Sequence, residues 1–539
     1  MAQLSSAFNA ADFLVHRQTR EGLTDKPAMI GTRTRTYGEL SDDVARVAAS
    51  LRGLGLHTDD RVLFVMADDV DLATSILAAF HAGLVAVPIS TMYSGHELAE
   101  ILIDSGARVV VASAEFAAAA TEAVSLAPEV DHLVVSGDYS AQVRQGVTVT
   151  AWPTLLDVSS DYAQDATATG EDSWALWLYT SGTTGSPKAA MHRHANVRHV
   201  YSTYATQTLG IRQDDVVLSV AKMFFAYGIG NSLFFPLAAG ATSLLEPSRP
   251  TPTSVGARVV KDRPTLFFGV PTFYAALMSS ELSDDTFSSV RLGVSAGEPL
   301  PAALQRRVRD RFRMEILDGI GSTEALHIFL SNVPGDIRPG TTGKAVPGYD
   351  LEIRDDEGRI VPPGVPGHLY VRGESLAVGY WRRTDAHRAA FEGRWMRTGD
   401  TYVQDEDGYF QCLGRSNDML KAGGIWVSPG EVEARLLEHD AVAEAAVAGV
   451  PDSQGLDKPV ALVVLAENRD RIAEDDLINW CREGLAAFKR PRAVVFVDAL
   501  PKTATGKVQR FKVKQQLATA LGADPPQTRP STTASGVSP

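Results

Sequence analysis

The sequence predicts an α/β fold, with a large N-terminal domain of layered αβ subdomains plus a small β-rich unit, followed by a small α+β C-terminal domain. Three observations carry that expectation. Apolar runs alternate with helical patterns through the first part of the chain. A stretch rich in Gly, Pro and Val, with short alternating runs, follows at 340–372. Beyond the polar segment Gly414-Arg415-Ser416-Asn417-Asp418, a strong helix start opens a tract long enough for one more unit.

Taken in order, Arg61–Met66 reads as a buried strand, Leu72–His81 as a helix and Val85–Pro88 as a strand. Glu97–Asp104 is helical, Ala107–Ala112 a strand, Ala117–Leu126 a helix and His132–Ser136 a strand. Strand and helix in turn imply right-handed crossovers on a largely parallel sheet. The pattern continues through Trp174–Leu178, Val216–Val220, Thr265–Gly269 and Arg291–Ser295. Met223–Leu245 has no charged residue and is long enough to span a bilayer. Gly228, Gly230, Asn231, Pro236 and Gly240 would interrupt such a helix, so a buried core segment beside a pocket is expected. Further on, Ser428 caps a helix, Pro429 takes its first position and Glu431 completes a capping box. The remainder, to about Leu521, has room for two or three helices and three strands. The boundaries read as 1–414, 415–522 and a Pro-, Thr- and Ser-rich tail at 523–539, expected to be disordered.

At 539 residues the chain exceeds one ordinary core, and 45% hydrophobic with 22% charged residues is a soluble, globular balance. A formal net charge of −14 excludes a general nucleic-acid binder. Anionic substrates would need local cations, backbone amides and a metal. Cys412 and Cys481 are too far apart in sequence for a disulfide framework or a four-ligand zinc site. Met1–Asp12 lacks a basic segment followed by an apolar run, so no signal peptide is expected, and the localisation read is cytoplasmic with no membrane partner.

The densest motif is Tyr179-Thr180-Ser181-Gly182-Thr183-Thr184-Gly185-Ser186-Pro187-Lys188. Hydroxyls and glycines let donors approach an anion closely, and Lys188 adds a point charge suited to phosphate. Pro187 stands where the P-loop of GTPases needs its second glycine, so this is a different phosphate loop. The segment resembles the signature loop of the acyl-adenylate-forming superfamily. The resemblance recurs in family order at Ser295–Pro299, Asp318–Glu324, Arg397–Asp400, Gly414–Lys421 and Pro501–Lys507.

That resemblance implies two half-reactions: a carboxylate attacks the α-phosphorus of ATP, and the thiol of coenzyme A then displaces AMP. It implies that Thr180, Ser181, Gly182, Thr183, Thr184, Gly185 and Lys188 grip phosphates. Gly297, Glu298 and Pro299 would cradle adenine, with Asp318 and Gly319 beside them. Thr323 would meet phosphate and Glu324 would hold Mg²⁺, a hard ion suited to carboxylate and phosphate oxygens. Asp400 would bind the ribose and Arg415 the same region. Lys507 would bridge substrate carboxylate and α-phosphate, and its exposed amine is a candidate for acetylation. The small C-terminal domain would rotate between half-reactions about Asn417, where the family normally has Asp or Lys. Rotation would bring Lys421 toward the thiol step, with Gly423, Gly424 and Trp426 along a pantetheine tunnel.

Phe225, Ala226, Tyr227 and Gly228, with Ile320, Gly321 and His327, resemble the acyl pocket of benzoate-CoA ligases. Small residues beside two aromatic ones suit a flat ring. The stretch has no acidic residue to pair an amino-acid ammonium. The leading expectation is therefore an aryl-CoA ligase acting on benzoate or a substituted benzoate, with the oligomeric state open between monomer and homodimer. A second expectation is an adenylating enzyme for short aliphatic acids, or one that loads a carrier protein. A third is a serine hydrolase, because Gly293-Val294-Ser295-Ala296-Gly297 fits a nucleophile elbow, although Glu298-Pro299-Leu300-Pro301 follows where the elbow needs a helix.

Overall fold

Helix starts are written locally. Thr36 and Ser94 each accept a backbone N–H from the glutamate three residues on, and Glu39 and Glu97 bond back to the cap amides. These boxes open the helices Tyr37–Gly53 and Gly95–Ser105. The computed structural model describes residues 7–158, 166–180, 187–416, 420–422, 425–451, 457–466, 472–486, 489–502 and 508–522. Its contacts divide the chain into one unit of Met1–Thr398 and Val403–Gln411, and another of Gly399–Tyr402 and Cys412–Pro539.

Among the described residues the first unit holds two large sheets. One runs in the order Gly379–Tyr380, Lys188–Arg193, Trp174–Thr180, Val85–Pro88, Arg61–Val65, Val109–Ser113, His132–Ser136, Thr148–Ala151. From Trp174–Thr180 onward the strands are parallel. The expected α/β alternation is thus present, with element ends within two residues of those predicted. Leu63, Val110 and Leu133 pack with Leu98 and Val124 of the covering helices. The other sheet runs Lys344–Ala345, Ile328–Ser331, Ile316–Gly321, Leu292–Ser295, Leu266–Gly269, Val216–Ser219, Thr242–Leu244, Pro27–Ile30, Thr34–Thr36. It is parallel from Ile316–Gly321 to Pro27–Ile30, over a core containing Phe267, Tyr274, Phe287 and Phe312.

The β-rich unit is displaced from its predicted span. Asp350–Arg354 and Gly367–Arg372 pair antiparallel and belong to a small sheet with Trp395–Gln404 and Phe391–Glu392. Lys344–Ala345 instead joins the large sheet, because the edge of Ile328–Ser331 leaves backbone groups to be paired. The uncharged run after Met223 is broken into Ala226–Ile229, Gly230–Phe234, Phe235–Ala239 and the strand Thr242–Leu244, nearly all buried. Among the described residues no helix is long and apolar enough to cross a membrane.

In the second unit, Val442–Pro451, Asp457–Leu465 and Val494–Phe496 form a sheet, accompanied by the helices Pro429–Leu437, Glu474–Gly484 and Arg510–Ala520. Alternate residues of the central strand serve opposite cores: Ala461 and Val463 pack with Val432 and Leu477, while Val460 and Leu462 pack with Val513 and Leu517. The first of these helices corrects one expectation. Ser428 does cap it, accepting the Glu431 N–H at 3.3 Å. The predicted box is not completed, because the Glu431 carboxylate accepts from the Lys489 ammonium at 2.5 Å instead. The predicted tail at 523–539 lies outside the described residues.

Candidate active site

One hairpin gathers seven of the predicted site residues. The strand Ile316–Gly321 turns back into Ile328–Ser331, antiparallel to it. Asp318, Gly319, Ile320 and Gly321 lie on the outgoing arm, Thr323 and Glu324 in the turn, and His327 at the start of the return. Ser322 Oγ accepts the Ala325 N–H at 3.1 Å, and Leu326 takes a left-handed φ of 65° to reverse the chain.

A second hairpin delivers Lys188. Thr180 and Lys188 are directly opposed across Trp174–Thr180 and Lys188–Arg193, at the two ends of the segment expected to bind phosphate. Ser181, Gly182, Thr183, Thr184 and Gly185 lie outside the described residues. The Lys188 ammonium stands 3.9 Å from Glu324 Oε1 and 3.9 Å from the centre of the Tyr380 ring. Tyr380 donates its hydroxyl to the same Glu324 oxygen. It arrives on the short strand Gly379–Tyr380, paired with Lys188–Arg193. Among the described residues no cluster of three His, Cys, Asp or Glu could hold a metal by itself. One partly buried carboxylate, Glu324, together with nucleotide phosphates nevertheless fits Mg²⁺, which usually takes one or two protein carboxylates.

Thr323 is held from behind. The Asn196 amide donates to His192 Nδ1 at 3.0 Å, which leaves Nε2–H to donate to the Thr323 carbonyl at 2.8 Å. Burial pushes His192 down to about 4, so it is neutral at physiological pH. Tyr380, His192 and Asn196 were missed in the sequence. Tyr380 reaches the motifs through strand pairing across the chain, and His192, four residues after Lys188, through a hydrogen bond to a turn far off in sequence, neither of which local spacing records.

The acyl-side residues divide. His327 Nε2 bonds Asn231 Oδ1 at 3.0 Å, and its ring lies 5.6 Å from Tyr227, 5.3 Å from Tyr204 and 4.5 Å from Phe235. Tyr227 donates toward the carbonyls of Gly269 and Val294, at 3.1 and 3.3 Å. Ala226 is buried, whereas Phe225 is 39% exposed and rests on Phe224 at 4.6 Å. Gly228 and Gly321 serve main-chain packing. An added Cβ would approach the carbonyl oxygens of Lys222 at 1.9 Å and His327 at 2.4 Å. Burial pushes His327 down to about 3, so it offers a carboxylate no positive charge. The box around it is neutral and aromatic.

Asp318 is buried, with Oδ1 lacking a partner among the described residues, and burial pushes its carboxyl well above the usual range. Ser295, its neighbour on the adjacent parallel strand, is fully buried. The next helix begins only at Ala302, so Ser295 does not sit on a strand-to-helix elbow and cannot present a nucleophile to solvent. That removes the structural basis of the hydrolase expectation. Gly297 and Pro299 are exposed and Glu298 is half-buried, leaving a surface at the strand end.

In the second unit, Arg415 Nε meets Asp400 Oδ1 at 3.2 Å. Lys421 and Trp426 are opposed in a backbone hairpin of Leu420–Ala422 and Ile425–Val427. Asn417, Gly423, Gly424 and Lys507 lie outside the described residues.

The family model of AMP-binding enzymes matches residues 15–381, and that of their C-terminal domain matches 431–507. The chain belongs to the AMP-binding enzyme family. It is 43% identical over 518 residues to a benzoate–CoA ligase of Thauera aromatica, covering 95% of this chain and 97% of that one. Its structure is similar to that of a benzoate CoA ligase from Burkholderia xenovorans, with a TM-score of 0.87 at 44% identity, covering 94% of this chain and all of the other. An anthranilate CoA ligase solved with anthranoyl-AMP gives a TM-score of 0.90 at 37% identity, covering 97% and 99%. Membership in this family accords with ATP use and with the large-plus-small α/β architecture.

Proposed function

We propose that the protein is an ATP-dependent aryl-CoA ligase. It activates benzoate or a substituted benzoate as the acyl-adenylate, releases pyrophosphate, and transfers the acyl group to coenzyme A. The observation that carries the substrate reading is the neutral aromatic box of Tyr204, Tyr227, Phe235 and His327, rooted on the hairpin whose turn carries Glu324. A flat apolar ring gains by burial beside these side chains, and the run from Phe225 to Gly228 carries no acidic residue to pair an ammonium.

Bringing a carboxylate to a triphosphate joins two anions, so charge neutralisation and positioning supply most of the rate. Lys188 and Thr323 hold the phosphates, and Glu324 would hold Mg²⁺, which when bound neutralises phosphate charge. Asp318 accepts a hydrogen bond from the adenine amino group, which would occupy its unpartnered oxygen. Asp400 and Arg415 take the ribose. Lys507 bridges the carboxylate and the α-phosphate, and Lys421 serves the thiol step beside Gly423, Gly424 and Trp426.

The test is pyrophosphate release across aryl, alkyl and amino acids, with and without coenzyme A. Turnover greatest with benzoates, with aryl-CoA as product, supports the reading. Preference for short alkyl acids, or acyl-adenylate formed with no thioester made on adding coenzyme A, overturns it.

A further inference from the structure

Asp68 lies just past the strand Arg61–Val65 of one large sheet, yet its partner belongs to the other. Its Oδ2 accepts the Met223 N–H at 2.8 Å. The side chain is 5% exposed, and Oδ1 has no partner among the described residues. Met223 sits in the turn that leads from Val216–Ser219 into Ala226–Ile229.

That turn is tied at several points. The Ala221 N–H donates to Ser219 Oγ at 3.2 Å, and the Phe225 N–H to the Lys222 carbonyl at 3.0 Å. The Lys222 ammonium donates to the carbonyls of Glu246 and Ser248, at 2.5 and 2.8 Å. The Lys222 carbonyl is also the atom that a Cβ on Gly228 would strike. The backbone at 221–223 therefore sets the depth at which Ala226, Tyr227 and Gly228 stand.

A buried carboxylate with a bare oxygen is unfavourable, and burial pushes Asp68 up to about 6. Lys222 pulls it back down and Asp69 pushes it up; these are the charged groups acting on it. Lys222 does not ion-pair with it, because its ammonium is engaged by main-chain carbonyls. In exchange, an ionised acceptor holds the Met223 amide more strongly than a neutral one would.

We propose that Asp68 is a positioning residue for the acyl site, anchoring the Met223 amide and thereby fixing where Ala226–Gly228 meet the substrate ring. This rests on the acyl-site reading given above. Pyrophosphate release is measured for the wild type, Asp68→Ala and Asp68→Asn, using the acid the wild type turns over best. Acid is varied at saturating ATP, ATP at saturating acid, and Tm is recorded alongside. Asp68→Ala leaves a buried amide unpaired and raises the acid KM about tenfold, with the ATP KM within about twofold. Asp68→Asn keeps an acceptor and holds the acid KM within about threefold of wild type at pH 7.5. Wild-type acid KM rises below about pH 6 as Asp68 protonates, and in Asp68→Asn that rise is absent. Equal rises in both KM values, or an unchanged acid KM with only a lowered Tm, overturn the proposal. If Asp68→Ala does not fold, Asp68→Asn decides through the pH profile, and a profile identical to wild type overturns it. The wild type's own choice of acid judges the aryl reading separately.

Discussion

Tyr380 donates its hydroxyl to the Glu324 carboxylate while its ring lies 3.9 Å from the Lys188 ammonium. One side chain thus orients the two charges assigned to metal and phosphate, and it reaches both by pairing with the strand that Lys188 begins. The cation over the ring and the hydrogen bond to the carboxylate are separable contributions.

Tyr380→Phe keeps the ring and removes the hydroxyl. A hydrogen bond to a charged group contributes about 1.5–3 kcal/mol, so Mg·ATP should bind roughly ten- to a hundredfold more weakly. Calorimetric titration with Mg·ATP reads this without turnover, and the acid KM should stay near wild type. Unchanged nucleotide affinity would reject the role.

Gly228 and Gly230 answer to different neighbours. A Cβ on Gly228 meets rigid main chain at Lys222, whereas one on Gly230 meets the His327 ring, 2.3 Å from Cδ2. Overpacking costs about 1–3 kcal/mol, and Gly228→Ala should show it as a lowered Tm. Gly230→Ala should push the imidazole into the aromatic box, lowering turnover of bulky benzoates more than small ones. Equal losses across a series of ring sizes would contradict the placement of His327.

Acid should unfold the protein early. His192 is pushed down to about 4, and His194 and His327 to about 3, each by burial, from an ordinary value of 6.5. Each binds a proton more readily when unfolded, so its stabilising share is complete above pH 6.5 and is lost as pH falls toward the folded value. For His192 alone the full loss is on the order of 3 kcal/mol. Asp68, raised to about 6, and Asp318, raised well above the usual range, act in the opposite sense as pH falls through their folded values, but the three histidines outnumber them. Urea midpoints should therefore fall from pH 7 to pH 5, with net proton uptake on unfolding. A flat profile would mean that these histidines are hydrated.

Much of this was legible because periodicity and loop chemistry are local. The alternation from Arg61 to Ser136 and the cap at Ser428 could be read from neighbouring residues. Asp318, Thr323, Glu324 and His327 fall within ten residues of one motif, and the hairpin keeps them together. Tyr380, His192 and Asp68 act through partners 56, 131 and 155 positions away. Sheet order decides such contacts, and sheet order is not a pattern in the chain. Glu431 shows the converse: its local motif allowed a capping box, and Lys489 outcompeted it.

Lys507 offers the sharpest division between the half-reactions. Its loop is closed at the base, because Lys502 and Val508 pair through an isolated bridge. The loop between Thr180 and Lys188 is closed by the last pair of an antiparallel ladder. Each sequence motif carries a lysine, but the two should serve differently. Lys188, beside Glu324, is assigned to the nucleotide phosphates, so Lys188→Ala should weaken ATP binding as well as adenylation. Lys507 is assigned to charge that develops as carboxylate meets α-phosphate. Removing such a contact costs about 100- to 1,000-fold in rate. Lys507→Ala should therefore lose pyrophosphate release while still converting supplied aryl-adenylate to aryl-CoA. Acetylation of Lys507 removes the same charge and should copy the variant, with deacetylation restoring activity. Parallel loss in the adenylation and thioester assays would move Lys507 out of the first half-reaction.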